Sequence, residues 1–357
     1  MSELERLLRP HVSRVVPYVT ARSQYRGGLL LDANENSAGP SAPDLPSDLN
    51  RYPDPANADL RSAVSGWLGV AERRLWFGNG SDEVIDLLIR VLVDPGSPLV
   101  VSEPSYDLYA QRAAANGATV RSVRLDGDFD LDVDGTLEAT EGASLVILCS
   151  PNNPTGNLLS ADRILELLSR SKCVVAVDEA YVEFAGSNGR AESLARLAGG
   201  AGANPGSERL AVLRTFSKAW GLAGARVGYV IGAPTLVEAM NCMGLPYPLS
   251  SLSSRAACTV LQAASEMEKA CDVVAAERAR VARSLSDLGL RPLPSDANFL
   301  LFFVEHPLEI QERMARDYAV VIRDRSHMPG LDGGLRVTIG TSPDNDRVLE
   351  VLREVLS

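Results

Sequence analysis

The chain has 357 residues, 45% of them hydrophobic, which is enough for one large domain or two unequal ones around a sizeable core. Thirty-five basic residues against 46 acidic ones leave a formal net charge of −11. That balance argues against nucleic acid or an anionic membrane as a partner, since both require a basic face; a small anionic ligand would have to be held by local arginines.

Other whole classes drop out as quickly. The apolar stretches 144–149 and 173–177 have the length of strands and fall far short of a bilayer span. The opening MSELERLLRP carries charges where a signal peptide needs an apolar run. Five cysteines form no C-x-x-C pair, and an odd count is a poor disulfide framework. Three scattered histidines give no zinc pattern, so no metal is expected. The expectation is a soluble, cytoplasmic α/β protein.

Along the chain, helical patterns at 82–93, 106–116 and 161–170 alternate with strand patterns at 99–102, 119–124, 145–149, 173–177, 210–214 and 227–231. Several of these strands are apolar at consecutive positions, as strands covered on both faces are. The repetition predicts a large, mostly parallel sheet flanked by helices. The C-terminal third reads differently: a long helical stretch over 254–288, strands at 299–304, 320–322 and 335–339, and a closing helix near 344–356. A smaller α+β unit is expected there. The Gly/Ala/Ser-rich tract 199–206 reads as a surface loop.

The strongest chemical signal is Thr215-Phe216-Ser217-Lys218, followed by Arg226. A lysine just past a strand sits at the carboxyl edge of the sheet, where ligands bind in open α/β folds. If partly buried, its amine is easier to deprotonate and can form a Schiff base with an aldehyde. Two hydroxyls and a guanidinium beside it suit a phosphate dianion. The competing reading is a surface lysine next to a Gly-rich turn. Asp178 ends the apolar run 174–177, either as a helix cap or as a functional carboxylate, with Tyr181 just beyond. Gly80-Ser81-Asp82 opens the helical pattern 82–93 and offers an anion site at a helix N-terminus, though glycine-serine starts are common on structural grounds. Asn153 follows the strand 145–149 in an Asn-Pro turn, and Tyr106 begins another helical pattern.

Taken together and in this order, these segments resemble the fold type I pyridoxal-phosphate aminotransferases over essentially the whole chain. Within that superfamily, Asn34-Glu35-Asn36, Arg51-Tyr52-Pro53-Asp54-Pro55 and Leu335-Arg336-Val337-Thr338-Ile339-Gly340-Thr341 are similar to the histidinol-phosphate aminotransferase branch. The resemblance implies pyridoxal 5′-phosphate as cofactor, with Lys218 as its Schiff-base lysine and proton shuttle. Asp178 would pair with the ring nitrogen, Asn153 and Tyr181 would contact the ring oxygen, and Tyr106 would stack on the ring. Gly80, Ser81, Asp82, Thr215, Ser217 and Arg226 would hold the phosphate, with Tyr52 reaching over from the partner of a homodimer. Arg336, Arg323, Asn34 and the partner-directed Tyr18 would form the substrate site. The implied reaction moves an amino group between histidinol phosphate and 2-oxoglutarate, giving imidazole-acetol phosphate and glutamate in histidine biosynthesis.

The implied organisation is an N-terminal arm at 1–44 joining the small domain, a large cofactor domain at 45–245 and a small domain at 246–357. The pattern departs from the family at Ser37, where a proline is usual, at Trp220, and along Arg325-Ser326-His327-Met328 beside the substrate arginine. An aromatic-amino-acid aminotransferase and a threonine-phosphate decarboxylase share the scaffold and stay open as alternatives. A non-catalytic binding relative would gain nothing from Lys218.

Overall fold

The computed structural model describes residues 4–9, 46, 48–186, 193–200 and 206–356. A seven-stranded sheet dominates it. Its strands are β1 (Leu75–Asn79), β2 (Pro98–Glu103), β3 (Thr119–Arg124), β4 (Leu145–Cys149), β5 (Val174–Asp178), β6 (Leu210–Thr215) and β7 (Val227–Ile231), in the order β1-β7-β6-β5-β4-β2-β3. All pairings from β6 across to β3 are parallel. β7 alone runs the other way, antiparallel to both β6 and β1. The central β4, β5 and β6 are buried at every residue because helices cover both faces, which explains their unbroken apolar runs.

The helix Ser81–Leu92 shows how sequence becomes packing. Seven of its residues, from Val84 to Leu92, are buried, and its acidic first turn faces the N-terminal end of the dipole. Ala161–Arg170 follows the helical pattern at 161–170, with the Ser160 hydroxyl accepting from the Arg163 N–H at 3.4 Å as its cap. Among the described residues, no helix is long and apolar enough to cross a membrane.

A second sheet of four antiparallel strands follows: β8 (Arg291–Pro292), β9 (Phe299–Phe303), β10 (Arg323–Asp324) and β11 (Gly334–Thr338), in the order β10-β11-β9-β8. Its own core gathers Leu300, Phe302, Leu335 and Val337 with Leu349 and Leu352 of the closing helix Ser342–Leu356. The large, mostly parallel sheet and the smaller α+β unit expected after it are both present, and the strands of the smaller unit are antiparallel.

Local differences have local causes. The stretch expected as one helix over 254–288 is two, Ser251–Leu261 and Ala264–Asp287, because Ala263 (φ −108°, ψ 32°) leaves the helical region. The strand expected at 320–322 begins only at Arg323, since Ala319 turns left-handed at φ 55° and the Val320 N–H returns to the Met314 carbonyl. β1 had no alternating signal of its own; Trp76 and Phe77 are buried on an edge strand that, among the described residues, pairs only with β7. The Gly-rich tract at 199–206 falls mostly outside the described residues.

Candidate active site

Register brings the chemistry together. Asn79, the last residue of β1, pairs with Val227 at the start of β7, whose Gly228 pairs with Thr215 at the end of β6. Asp178, the last residue of β5, pairs with Cys149 at the end of β4. Because β7 is reversed, its beginning lies at the same sheet edge as the ends of its neighbours. A cavity of about 260 Å³ opens along this edge.

One end of the cavity is an anion cradle. Among the described residues the helix Ser81–Leu92 has no side-chain cap at Gly80, and its first N–H groups and dipole suit a negative ligand. A Cβ on Gly80, at φ +80°, would lie 2.4 Å from the Arg226 Nη2, and one on Gly228 would lie 2.2 Å from the Ser81 nitrogen. Only glycines let the guanidinium and β7 press so closely on the helix start. Arg226 adopts a left-handed φ of 53°, a backbone cost for a non-glycine residue. Its guanidinium donates to Asp82 Oδ2 at 2.9 Å and to Ser217 Oγ at 3.4 Å. Thr215 Oγ1 accepts from the Ser217 N–H at 3.1 Å and lines the same wall.

Lys218 and Asp178 occupy the middle. Burial lowers the pKa of the Lys218 ammonium and the nearby Arg336 cation lowers it further, while Asp178 and Asp82 pull it back. Its Nζ lies 5.5 Å from the Tyr181 ring centroid. Burial raises the Asp178 carboxyl to about 6, against the opposing hydrogen bonds it accepts from Tyr109 and from the Ala180 N–H. Those bonds measure 2.8 Å to the Tyr109 hydroxyl and 3.1 Å to the Ala180 nitrogen. Tyr106 packs edge-on against Tyr109 with centroids 5.5 Å apart, and its hydroxyl donates to Asp82 Oδ1 at 3.4 Å. Burial first, and Asp82 second, push the Tyr106 phenol up to about 12.

The far wall comes from the small sheet. Arg336 on β11 donates from Nη1 to Asn153 Oδ1 and stands 5.1 Å above the Phe299 ring. Burial lowers its pKa, and the Arg325 and Arg323 cations add to that, although Tyr181 and Asp107 oppose it. Tyr181 meets Phe299 edge-on at 5.1 Å, and burial raises its phenol pKa.

The structure thus gathers Ser81, Asp82, Tyr106, Asn153, Asp178, Tyr181, Thr215, Ser217, Lys218, Arg226 and Arg336 around one cavity, with Gly80 immediately behind the cradle. Tyr52 is not in that wall; it is half exposed and stacks on Tyr247 at 4.6 Å. Arg323 sits opposite Arg336 on β10 but is exposed and outside the wall. β10 is only two residues long, and the turn after it folds Arg325 inward instead, so Arg325 takes the lining place expected of Arg323. Tyr18 and Asn34 lie outside the described residues. Tyr109, Cys149 and Ala180 also line the cavity unforeseen. Tyr109 had a signal, its helical spacing from Tyr106; Arg325 had none, since its position depends on the turn.

The model of the class I and II aminotransferases matches residues 27–352. A histidinol-phosphate aminotransferase of Cytophaga hutchinsonii is 36% identical over 356 residues, covering 98% of each chain. The crystal structure of a histidinol-phosphate aminotransferase from Sinorhizobium meliloti in complex with pyridoxal-5′-phosphate superposes with a TM-score of 0.77 at 26% identity, covering 97% of this chain and 98% of that one. An L-threonine-O-3-phosphate decarboxylase from Porphyromonas gingivalis shares the fold, with a TM-score of 0.74 at 23% identity over 86% of this chain and 91% of that one. The chain belongs to the class I and II aminotransferases, in the branch of the histidinol-phosphate aminotransferases.

Proposed function

We propose that the protein holds pyridoxal 5′-phosphate at Lys218 and moves an amino group between L-histidinol phosphate and 2-oxoglutarate, giving imidazole-acetol phosphate and glutamate. The observation that carries this reading is the meeting of Lys218 and a buried carboxylate, Asp178, in a cavity with an anion cradle at one end and Arg336 at the other. The donor set fits the cofactor: an amine of lowered pKa for its aldehyde, an anion for its ring nitrogen, and N–H, hydroxyl and guanidinium groups for its phosphate. Bound there, the cofactor withdraws electrons from the carbon bearing the amino group, which makes that carbon's proton acidic.

The protein does the rest. Lys218 Nζ, neutral more often than an exposed lysine, would hold the cofactor's aldehyde and, once released, carry the proton removed from the substrate Cα. Asp178, fixed by two donors, supplies the negative charge that keeps a ring nitrogen protonated. Tyr106 lines the cavity and would help keep water from the reacting carbon. Asn153, with its oxygen committed to Arg336, has its amide N–H groups free to serve the ring oxygen, and Tyr181 would be the second group to hold it. Arg336 holds the anionic end of whichever substrate is bound.

The same reading makes the molecule a cytoplasmic homodimer in which Tyr52 and Tyr18 complete the partner's site. It divides the chain into an arm at 1–44, a large domain at 45–245 and a small domain at 246–357. The acidic net charge is compatible with anionic substrates because the arginines act locally. The test is the visible spectrum of the purified protein together with its exchange of amino groups between the two substrates. A long-wavelength band and exchange are expected; a protein that stays colourless with added cofactor would overturn the reading.

A further inference from the structure

One guanidinium holds both ends of a loop that reaches the cavity. Arg214 precedes Thr215 on β6 and so points to the opposite face of the sheet from it. Its Nη1 donates to Glu179 Oε2 at 3.0 Å and its Nη2 to Glu183 Oε1 at 2.8 Å. All three side chains are 5% exposed or less, and none of them belongs to the cavity wall. Glu179 also accepts from the Ser193 hydroxyl at 2.6 Å and from the Leu194 N–H at 2.8 Å. Its own N–H donates to the Leu213 carbonyl of β6 at 2.9 Å. Arg214 Nη1 reaches Ser193 Oγ as well, at 3.2 Å, and the Trp67 ring covers the guanidinium at 5.7 Å.

Between the two carboxylates, Ala180 and Tyr181 line the cavity, and Lys218 Nζ lies 5.5 Å from the centre of the Tyr181 ring. The Ala180 N–H reaches Asp178 across only two positions and needs no outside support. Tyr181 depends on where the whole loop is held. Its carbonyl accepts from the Phe184 N–H at 3.0 Å, within the 3-10 turn Val182–Phe184 that carries Glu183. Two buried carboxylates against one guanidinium are a poor source of stability, since an apolar cluster of similar volume serves as well or better. A two-armed fork, however, fixes distance and direction. We propose that Arg214 is a positioning residue: by gripping Glu179 and Glu183 it sets the Tyr181 phenol against the ring oxygen of the cofactor. This role deepens the proposed function and rests on it for the place of the ring oxygen.

Spectroscopic pH titration of the cofactor's long-wavelength band tests this on the holoenzyme. A hydrogen bond donated to the ring oxygen stabilises its anion, so a displaced Tyr181 leaves the cofactor more basic and raises the pH midpoint. Arg214→Lys keeps the charge but replaces the fork by a point charge. Glu183→Met releases the far end of the loop and leaves Arg214 paired one-to-one with Glu179, so the protein stays folded, which its thermal midpoint checks. Each should raise the band's midpoint by about one pH unit, tenfold in proton affinity. Tyr181→Phe should raise it at least as far, and adding Glu183→Met to Tyr181→Phe should raise it no further, because the path runs through the phenol. A midpoint unchanged in Arg214→Lys and Glu183→Met, against a raised one in Tyr181→Phe, would overturn the proposal. So would an equal shift from Glu183→Met with and without the phenol. Amide hydrogen exchange over residues 179–184 of the apo-protein is a second readout that needs no cofactor. Faster exchange is expected in Glu183→Met, and unchanged exchange would overturn the grip on the loop. If exchange rises but the wild type has no band, or Tyr181→Phe leaves its midpoint in place, the proposed function fails while the grip on the loop stands.

Discussion

Replacing Tyr109 by phenylalanine removes one oxygen from a fully buried site and leaves the ring packing in place. That oxygen donates to Asp178 Oδ2 at 2.8 Å, and the bond opposes the burial that raises the Asp178 carboxyl to about 6. A hydrogen bond to a charged group contributes about 1.5–3 kcal/mol, and one pKa unit corresponds to about 1.4 kcal/mol. The variant should therefore carry an Asp178 carboxyl titrating roughly one to two units higher, near or above neutrality. Pairing with a protonated ring nitrogen requires Asp178 to be ionised. Cofactor affinity should accordingly decline as pH falls through the ligand-free pKa, about 6 in the wild type, and the decline should begin at higher pH in Tyr109→Phe. Spectroscopic titration of the apo-protein with pyridoxal 5′-phosphate over a series of pH values measures both midpoints, and Asp178→Asn supplies the profile without this titration. If Tyr109→Phe and the wild type share one midpoint, the hydrogen bond does not tune Asp178 and the reasoning fails.

Lys218→Ala should abolish the long-wavelength band and lower turnover by several orders of magnitude, because covalent attachment and the proton carrier go together; near-normal transamination would contradict the assignment. Gly80→Ala should weaken cofactor binding, since its Cβ would stand 2.4 Å from the Arg226 guanidinium; equilibrium dialysis with an unchanged Kd would show that the cradle tolerates displacement. Arg214→Met strips the buried Glu179 and Glu183 carboxylates of a guanidinium held at 3.0 and 2.8 Å, and should destabilise the fold by about 3–5 kcal/mol in denaturant unfolding, whereas a shift under about 1 kcal/mol would mean the triad is dispensable. Mixing inactive Lys218→Ala with an inactive Tyr52/Tyr18 double variant should regenerate one competent site per heterodimer; no recovery after subunit exchange would refute a shared site.

The parallel core was legible because both faces of β4, β5 and β6 are covered, so burial writes continuous apolar runs into the sequence. The cavity residues were legible for a related reason: Asp178 and Lys218 each follow such a run, where the strand ends and the sheet edge begins. What could not be read depended on partners remote in sequence. β1 is a strand only because β7 turns back beside it. The break at Ala263 lies in a stretch whose composition suits helix throughout. Tyr109 serves Asp178 across 69 positions, and Arg325 reaches the cavity through a turn that no periodicity marks. Glu179, beside Asp178 in sequence, carried no signal of its partner, and the structure commits it to Arg214 on β6.

The most direct measurement is the steady-state rate of amino transfer from histidinol phosphate to 2-oxoglutarate by the purified holoenzyme, followed as glutamate formed, beside the same assay with phenylalanine and tyrosine and a carbon dioxide assay with threonine phosphate. Glutamate formed in proportion to histidinol phosphate consumed, at a kcat/KM well above the aromatic donors and with no carbon dioxide released, is the predicted result. Faster transfer from an aromatic amino acid, or carbon dioxide from threonine phosphate with no transfer from histidinol phosphate, would contradict it.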